Sequence, residues 1–298
     1  MIKLPKISKL VLSGILALGL TLTPYSAQIV KAEEVQQTKI QSTPYQIYVN
    51  RAANCVTVYT KDENGQYTIP VRSFACSCGR EGMETPLGVF KTSDYYPWRL
   101  MVDGSYGKYA IRFNRSILFH SVPYYTDDSS NLEKDQFNLL GEDASLGCVR
   151  MAVSDVKWLY DNCGKGTSVI VYDDAENPGP LGKPVQMQMS VEHPFAGWDP
   201  TDPDEANPWN LIKPSLYLTQ DMGDGVLYVP VGTTVEQLKQ YVGLKNVQGI
   251  AYAPQDYQIF INGNYDLNTF GAYRVWISGQ DITGVMVQQE MILAVVYI

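Results

Sequence analysis

From about residue 44 to residue 174 the pattern of apolar and polar side chains is mostly that of β-strands, in short runs separated by turn signals. Residues 46–50 and 56–60 are short runs rich in β-branched and aromatic side chains. Asn64-Gly65 separates the second run from residues 67–71, which predicts a hairpin. Thr85-Pro86-Leu87-Gly88 reads as a turn into a strand at 89–92, and further strands are expected at 109–113, 117–120 and 168–172. One helix is expected, with Ser154 as N-cap, Asp155 in the first turn and Gly164 as the stop. Val156, Leu159 and Tyr160 recur at helical spacing and give it a buried face. The first unit is therefore read as a sheet-dominated domain with one short helix packed against it.

The pattern changes over residues 175–210, which are dense in proline and carry Trp198-Asp199-Pro200 and Asn207-Pro208-Trp209. Proline cannot donate to a ladder and pushes the residue before it toward extended geometry. The segment is read as a semi-rigid linker, with 185–191 alternating enough for a strand. Residues 211–298 return to short alternating runs at 225–231, 257–261, 272–277 and 286–297, which suggests a small antiparallel β-sandwich.

The N-terminus has a third character. Lys3, Lys6 and Lys9 precede an uncharged, mostly apolar run from Leu10 to Leu22, and a small-residue exit follows at Val30-Lys31-Ala32. This is the layout of a secretory signal peptide, and the apolar run falls short of the roughly 20 residues that span a bilayer. Cleavage after Ala32 is expected, leaving residues 33–43 as a polar leader and an exported protein. Removing 1–32 takes away four lysines and no acid, so the net charge moves from −8 to −12. Such an acidic chain is a poor partner for nucleic acid, whose binding needs clustered cations.

Chemistry enters with the cysteines. There are five, at 55, 76, 78, 148 and 163. An odd number in an exported protein suggests one reactive thiol beside paired ones. Cys76-Ser77-Cys78 is too closely spaced for a zinc or redox Cys-x-x-Cys, and the chain has two histidines, so no metal or other cofactor is expected. Cys148 stands in Ser145-Leu146-Gly147-Cys148-Val149-Arg150. The glycine permits close substrate approach, neighbouring N–H groups could face an oxyanion, and Arg150 favours a thiolate. A cysteine nucleophile needs a base, most often histidine. His193 precedes Pro194 in the proline-rich stretch and suits a structural role. His120 ends a predicted strand, where a side chain can be held rigidly beside a cleft. The 211–298 unit offers no cysteine and no histidine, so the chemistry is placed in the first domain.

At these residues the chain resembles the YkuD-like L,D-transpeptidase catalytic domain family over 44–174. His120-Ser121 and Ser145-Leu146-Gly147-Cys148-Val149-Arg150 are similar to the family's two catalytic segments. Cys78-Gly79 with Thr85-Pro86-Leu87-Gly88-Val89-Phe90, and Gly166-Thr167-Ser168-Val169-Ile170-Val171, resemble its flanking segments. Leu146 stands where the family has a second histidine, and the segment between His120 and Cys148 is longer than usual, with an insertion expected as a loop over Pro123–Asp143. The resemblance implies a mainly β protein. An L,D-transpeptidase-like β-sandwich catalytic domain with one short helix (44–174) is followed by the linker (175–210) and a small Ig-like β-sandwich (211–298).

The resemblance also implies a reaction. Cys148 attacks the carbonyl of residue three in a peptidoglycan stem tetrapeptide, with His120 as acid and base and the thiolate–imidazolium pair possible in advance. D-Ala leaves, and an amine of a second stem peptide resolves the thioester as a 3→3 cross-link. N–H groups around Gly147 would hold the oxyanion, Arg150 a substrate carboxylate, and Ser121 and Ser145 would orient His120 or substrate. Water as acceptor would make the protein an L,D-carboxypeptidase. A wall-binding protein with a decayed site is the reading from another class, motivated by Leu146. The expected partners are stem peptides, at the cell wall and with no membrane span after cleavage. Among the four remaining cysteines, a Cys76–Cys163 pairing is the one guessed.

Overall fold

The computed structural model describes residues 43–297; the expected signal peptide and nearly all of the leader lie outside them. Nine strands make up the first part: β1 Tyr45–Asn50, β2 Cys55–Lys61, β3 Tyr67–Ala75, β4 Gly88–Lys91, β5 Tyr95–Leu100, β6 Tyr106–Asn114, β7 Ile117–Ser121, β8 Val149–Met151 and β9 Ser168–Tyr172. They form two sheets, ordered β3-β2-β1-β9-β4 and β5-β6-β7-β8. Asn64-Gly65 turns the chain between β2 and β3, which pair antiparallel as expected. Ile47, Val49, Val56 and Val58 from the first sheet share one core with Ile111, Phe113, Phe119, Val149 and Met151 from the second. Two helices belong here, the single turn α1 (Lys134–Phe137) and α2 (Val153–Asn162). Val156 and Leu159 of α2 enter the same core.

The helix begins differently from the expectation. Its N-cap is Ala152, with no side-chain cap of its own. Asp199 Oδ2 instead accepts from the Val153 N–H at 2.9 Å, and Thr201 Oγ1 accepts from the Ser154 N–H at 3.1 Å. Free first-turn N–H groups take any well-placed acceptor, and here the acceptors arrive from a segment far along the chain.

That segment is the proline-rich one, and much of it is packed. Trp209 is 2% exposed and Asp199 fully buried. Met187, Met189, Ala196 and Trp209 join Val122, Tyr124, Leu132 and Phe137 in a second core cluster. No strand forms over 185–191. Met189 gives its N–H to Asn138 Oδ1, and its carbonyl accepts from Asn138 Nδ2, so a side-chain amide replaces a strand neighbour. The expected 123–143 loop is packed likewise, with Tyr124, Leu132, Phe137 and Leu140 all buried.

The last part holds β10 Ser215–Leu218, β11 Val226–Pro230, α3 Val235–Lys239, β12 Val242–Lys245, β13 Tyr257–Asn262, β14 Gly271–Asp281 and β15 Met286–Val296. A four-stranded sheet β11-β15-β14-β13 accompanies the β10-β12 pair. Leu227, Val229, Val275, Ile277 and Leu293 form their own core with Leu238 and Val242. Against the expectation of antiparallel pairing throughout, β11 and β15 run parallel. The protein is mainly β, built from several sheets with few helices.

All five cysteines are free thiols. The guessed Cys76–Cys163 bridge is absent, and Cys76 Sγ lies 3.9 Å from Cys78 Sγ, both inside the first core.

Candidate active site

Strand alternation decides which residues meet. β7 and β8 run parallel, with Phe119 opposite Val149 and His120 opposite Arg150. Leu118 and Cys148, one residue before the first of these pairs, line the same cleft as His120 and Arg150. Side chains opposite each other or two apart share a face, so Leu118, His120, Cys148 and Arg150 lie on one side. Phe119, Val149 and Met151 fill the core on the other. The first side lines a cleft of ≈ 120 Å³, whose walls include Cys148, His120, Arg150, Leu146 and the turn between β5 and β6.

His120 is 3% exposed. Its Nδ1 lies 2.6 Å from the Ser121 carbonyl oxygen. A carbonyl only accepts, so Nδ1 carries the proton and Nε2 keeps the lone pair. Burial, and next the charge of Arg150, lower the imidazole to about 3, against the Ser121 carbonyl and Asp103, which favour the charged form. The ring is neutral at ordinary pH. Gly107 in β6 packs so closely that a Cβ there would sit 2.8 Å from Nδ1 and 2.9 Å from His120 Cβ. The next residue, Lys108, gives its N–H to Ser121 Oγ at 2.9 Å, and Ser121 Oγ–H donates to the Val122 carbonyl. The Ser121 hydroxyl is thus spent inside the protein, and Ser121 meets His120 through its carbonyl.

Cys148 follows Gly147, whose φ of +115° disfavours any side chain. A Cβ there would also come within 3.0 Å of Ile117 Cδ1. Thr85 Oγ1–H donates to the Gly147 carbonyl at 2.9 Å and accepts the Gly79 N–H at 3.0 Å. Ser145 Oγ accepts the Gly147 N–H at 3.0 Å and donates to the Cys148 carbonyl at 2.5 Å. The Cys78 carbonyl in turn takes the N–H groups of Ala144 and Ser145. Burial raises the Cys148 thiol above its ordinary value, while the Leu118 N–H, Arg150 and Arg112 pull it down. Burial thus holds both the thiol and the imidazole toward their neutral forms.

Arg150 is 8% exposed. Its Nη1 donates to Gln136 Oε1 of α1 at 2.8 Å and to the Ala144 carbonyl at 3.2 Å, and its buried Nε has no partner. His193 sits elsewhere. It stacks on Trp209 at 4.4 Å between ring centroids, and its Nδ1 accepts the Phe195 N–H. Gly107, Thr85 and Asp103 are site-shaping residues the sequence pattern left unassigned to the site. Only Thr85 carried a signal, as part of a turn and of a segment that carries the resemblance.

The geometry brings the two sequence segments that carried the resemblance into one cleft. Residues 44–171 match the family model YkuD, L,D-transpeptidase catalytic domain. This part of the chain, less than half of it, is similar to that family. The Bacillus subtilis (strain 168) protein YciB, provisionally designated an L,D-transpeptidase, is 41% identical over 54 residues, 18% of this chain and 27% of its own length. The chain therefore spans about a quarter of that curated relative. An L,D-transpeptidase from Mycobacterium smegmatis is 19% identical with a TM-score of 0.36, covering 44% of this chain and 59% of that one. L,D-transpeptidase 3 from Mycobacterium tuberculosis, with a faropenem-derived adduct, is 21% identical with a TM-score of 0.34, covering 44% and 60%. A fused Zn-dependent amidase/peptidase/peptidoglycan-binding domain-containing protein from Clostridium acetobutylicum ATCC 824 is 24% identical with a TM-score of 0.34, covering 44% and 52%. The match ends at residue 171. Among the described residues no helix is long and apolar enough to cross a membrane, and no group of three or more potential metal ligands occurs.

Proposed function

We propose that the protein is a cysteine-dependent L,D-transpeptidase that forms 3→3 cross-links between peptidoglycan stem peptides, working outside the cell at the wall after its signal peptide is removed. One observation carries the reading. Cys148, directly before β8, and His120 in β7 line one cleft, and the Nδ1–H of His120 is committed to a carbonyl, leaving Nε2 as a base. In this proposal Nε2 takes the Cys148 proton as the sulfur attacks the carbonyl carbon of stem residue three. Starting from a neutral pair, transfer and attack coincide. The Gly147 N–H is engaged by Ser145 Oγ, so the Cys148 N–H is the better oxyanion donor. The protonated imidazole then gives its proton to the departing D-Ala nitrogen. An incoming amine loses a proton to Nε2, attacks the thioester and frees the thiol.

Arg150, with an unpartnered buried Nε, suits a donor-peptide carboxylate. Ser145 holds the Gly147–Cys148 backbone, and Ser121 aims His120. The 175–210 segment joins the catalytic domain of 44–174 to an Ig-like unit, 211–298, that positions the enzyme in the wall. The test is incubation with a tetrapeptide-bearing disaccharide, followed by mass spectrometry. Cross-linked dimer with loss of D-Ala is expected. Tripeptide monomer alone would assign hydrolysis, and no product together with no carbapenem adduct on Cys148 would overturn the enzyme.

A further inference from the structure

Away from the cleft, a second cavity of ≈ 370 Å³ lies where β3, α2, the proline-rich segment and β15 converge. Its volume is in the range of small-ligand pockets. Its walls are partly apolar, with Phe137, Trp158 and Met187, and they carry charges of both signs at Asp155, Lys213 and Arg72.

These charges differ in how far they are satisfied. Arg72 is occupied: it pairs with Glu290 at 3.4 Å and lies between the rings of Trp158 and Trp276. Asp155 has one side-chain partner, the Ser154 hydroxyl at 3.1 Å. Lys213 Nζ reaches only the Pro200 carbonyl, at 3.3 Å. Asp155 and Lys213 form no salt bridge with each other or with any other described residue. Asp155 and Lys213 are half-buried, and two opposite charges with few protein partners in one pocket are complementary to a molecule bearing both signs.

We propose that this cavity binds a small zwitterionic amino acid, its ammonium group against Asp155 and its carboxylate against Lys213, with the side chain toward Trp158 and Met187. The α2 helix that carries Asp155 follows β8 directly, so the site lies one element from Cys148 and Arg150 in the chain. This assignment is independent of what the cleft catalyses.

The pH response has a defined sign. Burial, with the neighbouring Asp199 carboxylate, raises Asp155 to about 7, while Arg72 opposes the shift. Asp199 itself is raised to about 6, and Lys213 is lowered by burial. An ammonium ligand selects the ionised carboxylate. Affinity therefore rises through about pH 7 to a plateau above it, and falls by about tenfold per unit well below it.

Calorimetric titration of the protein with glycine and with D-alanine tests the site, using a Cys148→Ala background so that the cleft cannot react. Saturable binding with a Kd of about 1 mM or tighter is expected, weakened at least tenfold by Asp155→Asn and, separately, by Lys213→Gln. The two variants lie on different elements, and circular dichroism checks that each folds. Acetate and methylamine, each meeting one charge, should bind at least tenfold more weakly than glycine. The absence of saturable binding by either amino acid overturns the site, as does binding untouched in both folded variants. Acetate matching glycine overturns the zwitterion assignment.

Discussion

The cleft and the proline-rich segment each hold one of the two histidines, and the fold treats them in opposite ways. His120 is buried with Nδ1 tied to a carbonyl, and it lines the same cleft as Cys148. His193 is laid flat on Trp209, its Nδ1 accepting a neighbouring N–H. Nδ1 is engaged in both rings, but it donates in His120, which leaves Nε2 a lone pair, and accepts in His193, which leaves Nε2 the proton. The largest effect expected under the proposed function is at the partner thiol. Cys148→Ala should lower product formation by at least about a thousandfold, measured by mass spectrometry of the disaccharide-peptide reaction. Turnover within tenfold of the native enzyme would remove Cys148 as the nucleophile.

The histidines themselves come next. His120→Gln should cost roughly 10²–10⁴ in kcat/KM, the usual contribution of general acid–base catalysis. His193→Ala should leave kcat/KM within about threefold and lower stability by about 0.5–1.5 kcal/mol through the lost stack. Comparable losses of activity from both changes would erase the distinction drawn here.

A smaller change probes the same ring without touching it. Gly107→Ala forces a methyl to within 2.8 Å of His120 Nδ1, so the imidazole must shift. Misplacement of that size is worth up to about a hundredfold in rate, and about ten- to a hundredfold loss in kcat with near-native melting is expected. The pH profile sharpens the point further. With His120 lowered to about 3 by burial and Arg150, the neutral base persists through mild acid and is lost only as pH falls through that value. The acid limb of kcat/KM should therefore show no inflection near the ordinary imidazole value of about 6.5. Such an inflection, shifted in parallel by Arg150→Lys, would mean that the ring is charged in the resting enzyme.

The cleft was more legible than its supports. Scarcity exposed the pair, because two histidines and an odd cysteine leave few combinations, and alternation along 117–120 set His120 at a strand end. Most of the strands followed from short runs rich in β-branched and aromatic side chains bounded by turn signals, although β7 and β8 are buried on both faces. Gly107 escaped because its role exists only once β6 lies beside β7, and a glycine in a strand pattern says nothing about which ring it accommodates. β5 escaped because Pro97 interrupts its run. The 185–191 run alternates correctly for a strand, yet Asn138 supplies its pairing, so periodicity marked the burial of Met187 and Met189 and not the ladder. Ser154 met the local rule for an N-cap and lost to acceptors that no local rule can see.

That last case is also the smallest effect and the most direct measure of how firmly the proline-rich segment belongs to the catalytic part. Asp199 accepts the Val153 N–H and, through its other oxygen, the N–H and hydroxyl of Thr201. Lys108, next to Gly107, is tied to the same segment by a buried 2.6 Å pair with Asp202. Asp199→Ala removes the helix cap and leaves the buried Val153 N–H without a partner, which costs about 1–2 kcal/mol. The urea midpoint should fall accordingly, while kcat/KM of the folded variant stays within a fewfold of native. A midpoint unchanged within error would mean that α2 is capped from elsewhere and that the segment rests on the domain without holding it.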